Sequence, residues 1–407
     1  MLGQFLGAMQ SSPASRWDQA KQLAAAIATQ GDAVVNVDPS DRIAFEQLQR
    51  VAELQVADVT GLQPAARVTL VNRTQWTSDT VDAYRPMFEE LSGSFDTMLR
   101  SQLGEIDSSD LAEMGEAGIL PAGFDPAFLL DALSKMVGPL MLSMMVGSTV
   151  GQLGTRAFGS YDLPIPRLDP AHVVVVADSL DSFATDWELP RDDLRLWAIV
   201  HELTSHAVLT TPHLSARMTE LLAEHARHFS GDLSALESQL GDIDPTSPDG
   251  LARLQSALGD PSLVLGAMSS PHQDDLRAQL DTLVSTVGGY VDWVVDTVAQ
   301  RLLGEPDRVS EAMRRRRVET DQASRFVERL FGLELTQDTF DRGARFVTGI
   351  RERSGAQALP RLWSSAEGLP TTAELASPAL WLARQDIDQD TLPEVDVEVP
   401  DFPDFEN

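Results

Sequence analysis

Between Leu194 and His206 the chain reads Leu-Arg-Leu-Trp-Ala-Ile-Val-His-Glu-Leu-Thr-Ser-His. Three of these residues, His201, Glu202 and His206, are of types that hold a metal ion and move a proton. On a helix, a His-Glu-x-x-His spacing stacks two imidazoles on one face, where they can grip one zinc ion while the glutamate acts as general base. Here Ser205 stands at the fourth place after His201, and His206 comes one residue late. Five residues rotate a helix by about 140°, so a regular helix aims His201 and His206 apart, and only a local bulge brings both to one ion. The spacing predicts a zinc centre with a defect in it.

Other residues offer chemistry to the same centre. Asp292 and Asp296 lie about one helical turn apart, a spacing that suits a substitute metal ligand or an acid/base pair, but also a plain solvated face. Tyr290 can donate a hydrogen bond to a developing oxyanion beside a catalytic metal; without the metal it is a packing residue. His206, His213, His225 and His228 look like a cluster, yet the last pair falls on a polar helix face and is expected in water. The run Arg314 to Arg317 either binds an anion or, in a chain this acidic, pairs with Glu311, Glu319 and Asp321. No glycine-rich phosphate loop or serine-hydrolase elbow is present.

The elements that must position these groups are mainly helical. Residues 190–206 read as a helix, with Pro190 in its first turn and Asp192 and Asp193 near its positive end, which sets His201 about three turns inside. His172 to Ala177 is a β-branched run, predicting a strand buried on both faces, and Ala66 to Asn72 alternates as a second strand. Helices are expected at 17–30, 39–62 and 76–99, a loop or short helix at 107–123, and helices again from about Asp274 to Arg384. The uncharged run from Met136 to Thr155 contains Gly138, Pro139, Gly147, Gly151 and Gly154, so a buried glycine-rich helix is expected and a membrane span is not.

Composition narrows the function classes. The chain has 407 residues, enough for one large or two ordinary domains. With no cysteine, disulfides, thiolate ligands and a cysteine nucleophile are excluded, in keeping with a cytoplasmic location. Sixty-two acidic against 31 basic residues give a net charge of −31, which repels nucleic acid and anionic lipid. Residues 1–15 read as a flexible leader without a secretory signal, and 16–385 as the folded domain. Residues 386–407, with nine acids, no base and three prolines, read as a disordered acidic tail.

Taken together, the ordered motifs resemble the actinobacterial zincin-like metallopeptidase family, whose members are called zinc-dependent metalloproteases and are sometimes associated with coenzyme F420 biosynthesis. The resemblance spans nearly the whole chain. It rests on Gly31-Asp32, the stretch from Gln152 to Pro164, His201-Glu202-Leu203-Thr204, Gly289 to Asp296, Leu330 to Leu333, and Leu359 to Pro370. It implies an intact His-Glu-x-x-His and a downstream Glu-Gly-His segment supplying a further ligand. Against that pattern Ser205 replaces the second histidine, Gly288 the acid and Tyr290 the last histidine.

A catalytic zinc needs three protein ligands and an open water position. The expected protein is therefore a mainly helical, zincin-like α+β fold whose metal centre is degraded, leaving a weakly or non-catalytic member. The alternative is a working zinc peptidase with His201, a substitute ligand such as His206 or Asp292, Glu202 as base and Tyr290 assisting. A third reading is a scaffold that binds a protein or peptide partner, with the acidic tail engaging a basic surface.

Overall fold

Helix propensity and capping mark out the elements. The computed structural model describes residues 13–33, 36–63, 66–94, 142–168, 172–228, 271–318 and 322–389. Helix α1 (Pro13–Thr29) is followed by α2 (Pro39–Thr60), whose Asp38 N-cap accepts from the Ser40 N–H and whose Gly61 closes it in the left-handed conformation. Strand β1 (Arg67–Val71) leads into α3 (Arg73–Ala83), capped by Asn72. After strand β2 (His172–Val176) come α4 (Ala177–Asp186), α5 (Arg191–Leu209), α6 (Pro212–Arg227) and the long α7 (Pro271–Leu302). Helices α8 (Pro306–Val318), α9 (Gln322–Leu330) and α10 (Gln337–Ser354) follow, then two 3-10 turns, α11 (Thr372–Ala376) and α12 (Pro378–Gln389).

The mainly helical α+β expectation holds. The leader expected at 1–15 is described only from Pro13, where α1 already begins; of the tail expected at 386–407, residues 386–389 instead complete α12, and the remainder, like the loop expected at 107–123, lies outside the described residues. Pro190 sits at the N-cap of α5, one place before its first turn. The two strands pair in parallel, Arg67 opposite His172 and Val71 opposite Val176. Burial of four of the five β2 residues matches its unbroken apolar sequence.

The glycines of the uncharged run explain themselves by packing. Residues 142–154 are helical, and added Cβ atoms on Gly147, Gly151 and Gly154 would meet Leu23, Ile27 and Ala28 of α1 at 2.7–2.8 Å. The stripe lets two helices approach closely inside the protein. Among the described residues, no helix is long and apolar enough to cross a membrane. A second close crossing joins α7 to α10, where a Cβ on Gly289 would lie 2.2 Å from the backbone of Gly343.

Helix α5 runs through the middle of this assembly. From Leu194 to Leu209 every residue is buried except His201. Its N-terminal end is tied down by Arg195, itself buried, which reaches Asp41 of α2 at 3.3 Å and Asp181 of α4 at 3.2 Å. A helix apolar nearly all round belongs in the interior, and an opening in its cover at one histidine marks a cavity.

Candidate functional site

Two faces of α5 carry the chemistry. His201 and Ser205, four residues apart, line a cavity of about 110 Å³ together with Trp197, Glu202, Gly288, Asp292, Arg316, Arg317 and Glu328. The His201 ring stacks on Trp197, one turn earlier, with centroids 5.1 Å apart. Glu202 and His206, also four apart, share the neighbouring face, and both are held by one residue, Tyr161. The Tyr161 N–H donates to Glu202 Oε2 at 2.9 Å, and the Tyr161 hydroxyl lies 3.0 Å from His206 Nδ1.

Tyr161 is delivered by an extended segment running antiparallel to β2. Gly159 bridges Val175, the Ser160 N–H donates to the Val174 carbonyl at 3.0 Å, and the Val176 N–H donates to the Phe158 carbonyl at 2.8 Å. In such a pairing the N–H and C=O of Gly159 point away from β2. The Gly159 carbonyl accepts from the Trp76 indole at 2.7 Å. Its missing side chain is required, because a Cβ there would stand 2.3 Å from Glu202 Cδ.

Electrostatics follow burial. The Glu202 carboxyl is pushed above its ordinary range by desolvation, which outweighs its contacts with His201 Nδ1, 3.3 Å away, and the Tyr161 N–H. Burial likewise lowers the His206 pKa and raises that of Tyr161. Glu328, on the cavity wall, is pushed up to about 7 by burial. Opposite α5, Arg317 makes a two-pronged ion pair with Asp292, with Nη1 2.6 Å from Oδ2. Arg316 lies 3.8 Å over the Phe158 ring and reaches Asp162 at 3.4 Å.

Of the residues singled out by sequence, His201, Glu202 and Asp292 therefore meet at one cavity. His206 and Tyr290 do not line it. Helix α5 is unbroken through His206, so the five-residue spacing turns that imidazole onto the Glu202 face and against Tyr161. Tyr290 is fully buried and packs edge-on to Trp293 and Trp363. Asp292 and Asp296 part company: the first is half-buried and paired with Arg317, while the second is exposed, as on a solvated face, and accepts from the Ser310 hydroxyl at 2.8 Å. The arginine run divides: Arg314 and Arg315 pair with Glu311 as expected, while Arg316 and Arg317 turn inward.

His225 also departs from the expected solvated face. It is buried against Gly332, its pKa lowered to about 4 mainly by desolvation, while His228 is exposed. The residue that sequence reasoning missed is Tyr161. Its place in the stretch from Gln152 to Pro164 is legible in the sequence, but not the two bonds it makes.

Among the described residues, the cavity's side chains do not present three converging His, Asp or Glu ligand atoms. The ligand atoms of a catalytic zinc must converge within a few ångströms of one another. Among the described residues, the one group of three His, Cys, Asp or Glu side chains with ligand atoms within 4.8 Å of each other is Glu224, His228 and His272, none of which lines the cavity.

The model of the zincin-like metallopeptidase family matches residues 16–382. The chain belongs to that family. A crystal structure described as a "putative hydrolase with a novel fold", from Chloroflexus aurantiacus, superposes with a TM-score of 0.59 at 21% identity, covering 91% of this chain and 98% of that one. At that identity the likeness is one of fold. Comparison with curated proteins gave no match.

Proposed function

We propose that this family member has exchanged its catalytic metal centre for a cavity closed by ion pairs and is weakly or non-catalytic toward peptide bonds. The observation that carries the reading is the commitment of every candidate replacement ligand. His206 is bound to Tyr161 and Asp292 to Arg317, which leaves His201 as the cavity's lone imidazole. Glu202, the residue that would serve as base, is turned onto the Tyr161 N–H and disfavoured as an anion by its burial.

The edge segment supports the same conclusion. A substrate strand added there would need the outward groups of Gly159, and the indole of Trp76 already occupies its carbonyl. What such a protein retains is recognition. Its net charge of −31 suits a protein or peptide partner with a basic surface and opposes nucleic acid. A cytoplasmic setting, in keeping with the absence of cysteine, belongs to the same reading, as do an actinobacterial source and a link to coenzyme F420 biosynthesis as expectations of the resemblance.

The test is a paired measurement on the full chain purified without chelator: hydrolysis of an unstructured protein such as casein with added Zn²⁺, and zinc occupancy in wild type and His201→Ala. Weak or absent hydrolysis, with occupancy that does not depend on His201, is expected. Zinc-dependent turnover abolished by Glu202→Gln would establish the working peptidase instead.

A further inference from the structure

The cluster outside the cavity has the makings of a metal site of its own. Glu224 lies in the last turn of α6, His228 caps that helix, and His272 opens α7. Glu224 and His228 are four residues apart, the spacing that places two side chains one above the other on a helix. His272 Nε2 lies 3.1 Å from Glu224 Oε1, and the two imidazole rings meet edge-on with centroids 4.6 Å apart.

Two further features prepare the group. His228 Nδ1 lies 2.9 Å from the Glu224 carbonyl, an acceptor that only the Nδ1–H tautomer can satisfy, so the Nε2 lone pair is left as the donor. The scaffold is also fixed: the buried Gln273 donates to the His228 carbonyl at 3.0 Å, and the Ser94 hydroxyl donates to the Ala226 carbonyl at 2.7 Å. Donors on braced helix ends lose little freedom on binding.

We propose that Glu224, His228 and His272 form a surface site for a divalent transition cation such as Zn²⁺, which fastens the end of α6 to the start of α7. Two imidazoles and one carboxylate favour Zn²⁺, Ni²⁺ or Cu²⁺ over Mg²⁺ and Ca²⁺, which prefer all-oxygen ligands. Three protein donors at an exposed position leave room for water to complete a four-coordinate shell. The site is separate from the cavity at His201 and does not depend on whether that cavity ever holds metal.

The experiment is calorimetric titration of Zn²⁺ into the chelator-stripped full chain, beside His228→Ala, His272→Ala, Glu224→Gln and His201→Ala. Wild type and His201→Ala should each take up one ion per chain, with Mg²⁺ giving no signal. Removing either surface imidazole should weaken Zn²⁺ binding by about a hundredfold. The melting temperature should rise with Zn²⁺ in wild type and stay put in His272→Ala; the exposed position of His272 leaves folding intact. Absence of binding in wild type, or binding that survives both histidine substitutions, overturns the site. Two ions per chain, one lost with His272→Ala and one with His201→Ala, would uphold it while sinking the proposal of a degraded cavity.

Discussion

Asp292 of α7 and Arg317 of α8 face each other across the cavity wall as a two-pronged ion pair, Oδ2 of the one 2.6 Å from Nη1 of the other. The Arg317 guanidinium also lies 4.3 Å over the Phe340 ring, and the Asp292 charge raises its pKa against the effect of burial. A carboxylate so engaged is a poor metal ligand, since a cation competing for it must displace a neighbouring positive charge. The pair fixes the cavity's character through geometry as much as through charge.

Breaking this pair should be costly. Asp292→Ala leaves a largely buried guanidinium without its counter-ion, and a loss of about 2–4 kcal/mol is expected in urea unfolding. The double change Asp292→Leu with Arg317→Met, which removes both charges and keeps volume, should fall closer to wild type. An Asp292→Ala variant as stable as wild type would show that the bridge is incidental.

Much of this was legible in the sequence because it is local. The β-branched run His172 to Val176, the helix around His201 and the five-residue offset of His206 follow from periodicity, and each is realised. The tie that decides the site was not legible. Tyr161 lies 41 positions before Glu202 and 45 before His206, and the spacing that failed as a metal motif turns out to match Glu202 and His206 to one partner. His225 leaves the polar face expected for it because it continues the buried stripe of Leu214, Met218, Leu221 and Leu222 one turn further, with Gly332 packed against its ring.

Repairing one ligand position should not restore a metal centre. Ser205→His places a second imidazole one turn from His201, but Gly288 still supplies no side chain. Three protein ligands are needed, and each is worth on the order of 3–4 kcal/mol of zinc binding. Measured by elemental analysis in a chain that also carries His272→Ala, occupancy should stay far below one zinc per chain. Full occupancy from that single repair would mean that another cavity residue completes the site.

Glu328 should make stability depend on pH in a defined window. Its carboxyl rises from 4.5 to about 7 on folding, so between those values the folded chain holds a proton that the unfolded chain releases. The favourable contribution is complete below pH 4.5, declines as pH climbs, and is exhausted above about 7. Allowing for partial solvent screening, the span is about 2–3 kcal/mol. Glu328→Gln, which can still accept from the Leu335 N–H, should match wild type near pH 4.5 and exceed it by that amount above pH 8. Urea midpoints that stay parallel for the two proteins from pH 4 to 8 would contradict the assignment; repulsion among the remaining acids is common to both and cancels.

The contact between Gly159 and Glu202 should appear as a coupled pair. Gly159→Ala drives a methyl to within 2.3 Å of Glu202 Cδ, so either the edge segment or α5 must shift, at about 1–3 kcal/mol. Glu202→Ala alone removes the acceptor of the buried Tyr161 N–H and is expected to cost about 1–3 kcal/mol. In the double variant the methyl occupies space vacated by the carboxyl, so the two losses should fall short of additivity by about 1–2 kcal/mol. A strictly additive double variant would mean that the segment relaxes freely, and that Glu202 is not what demands glycine at position 159.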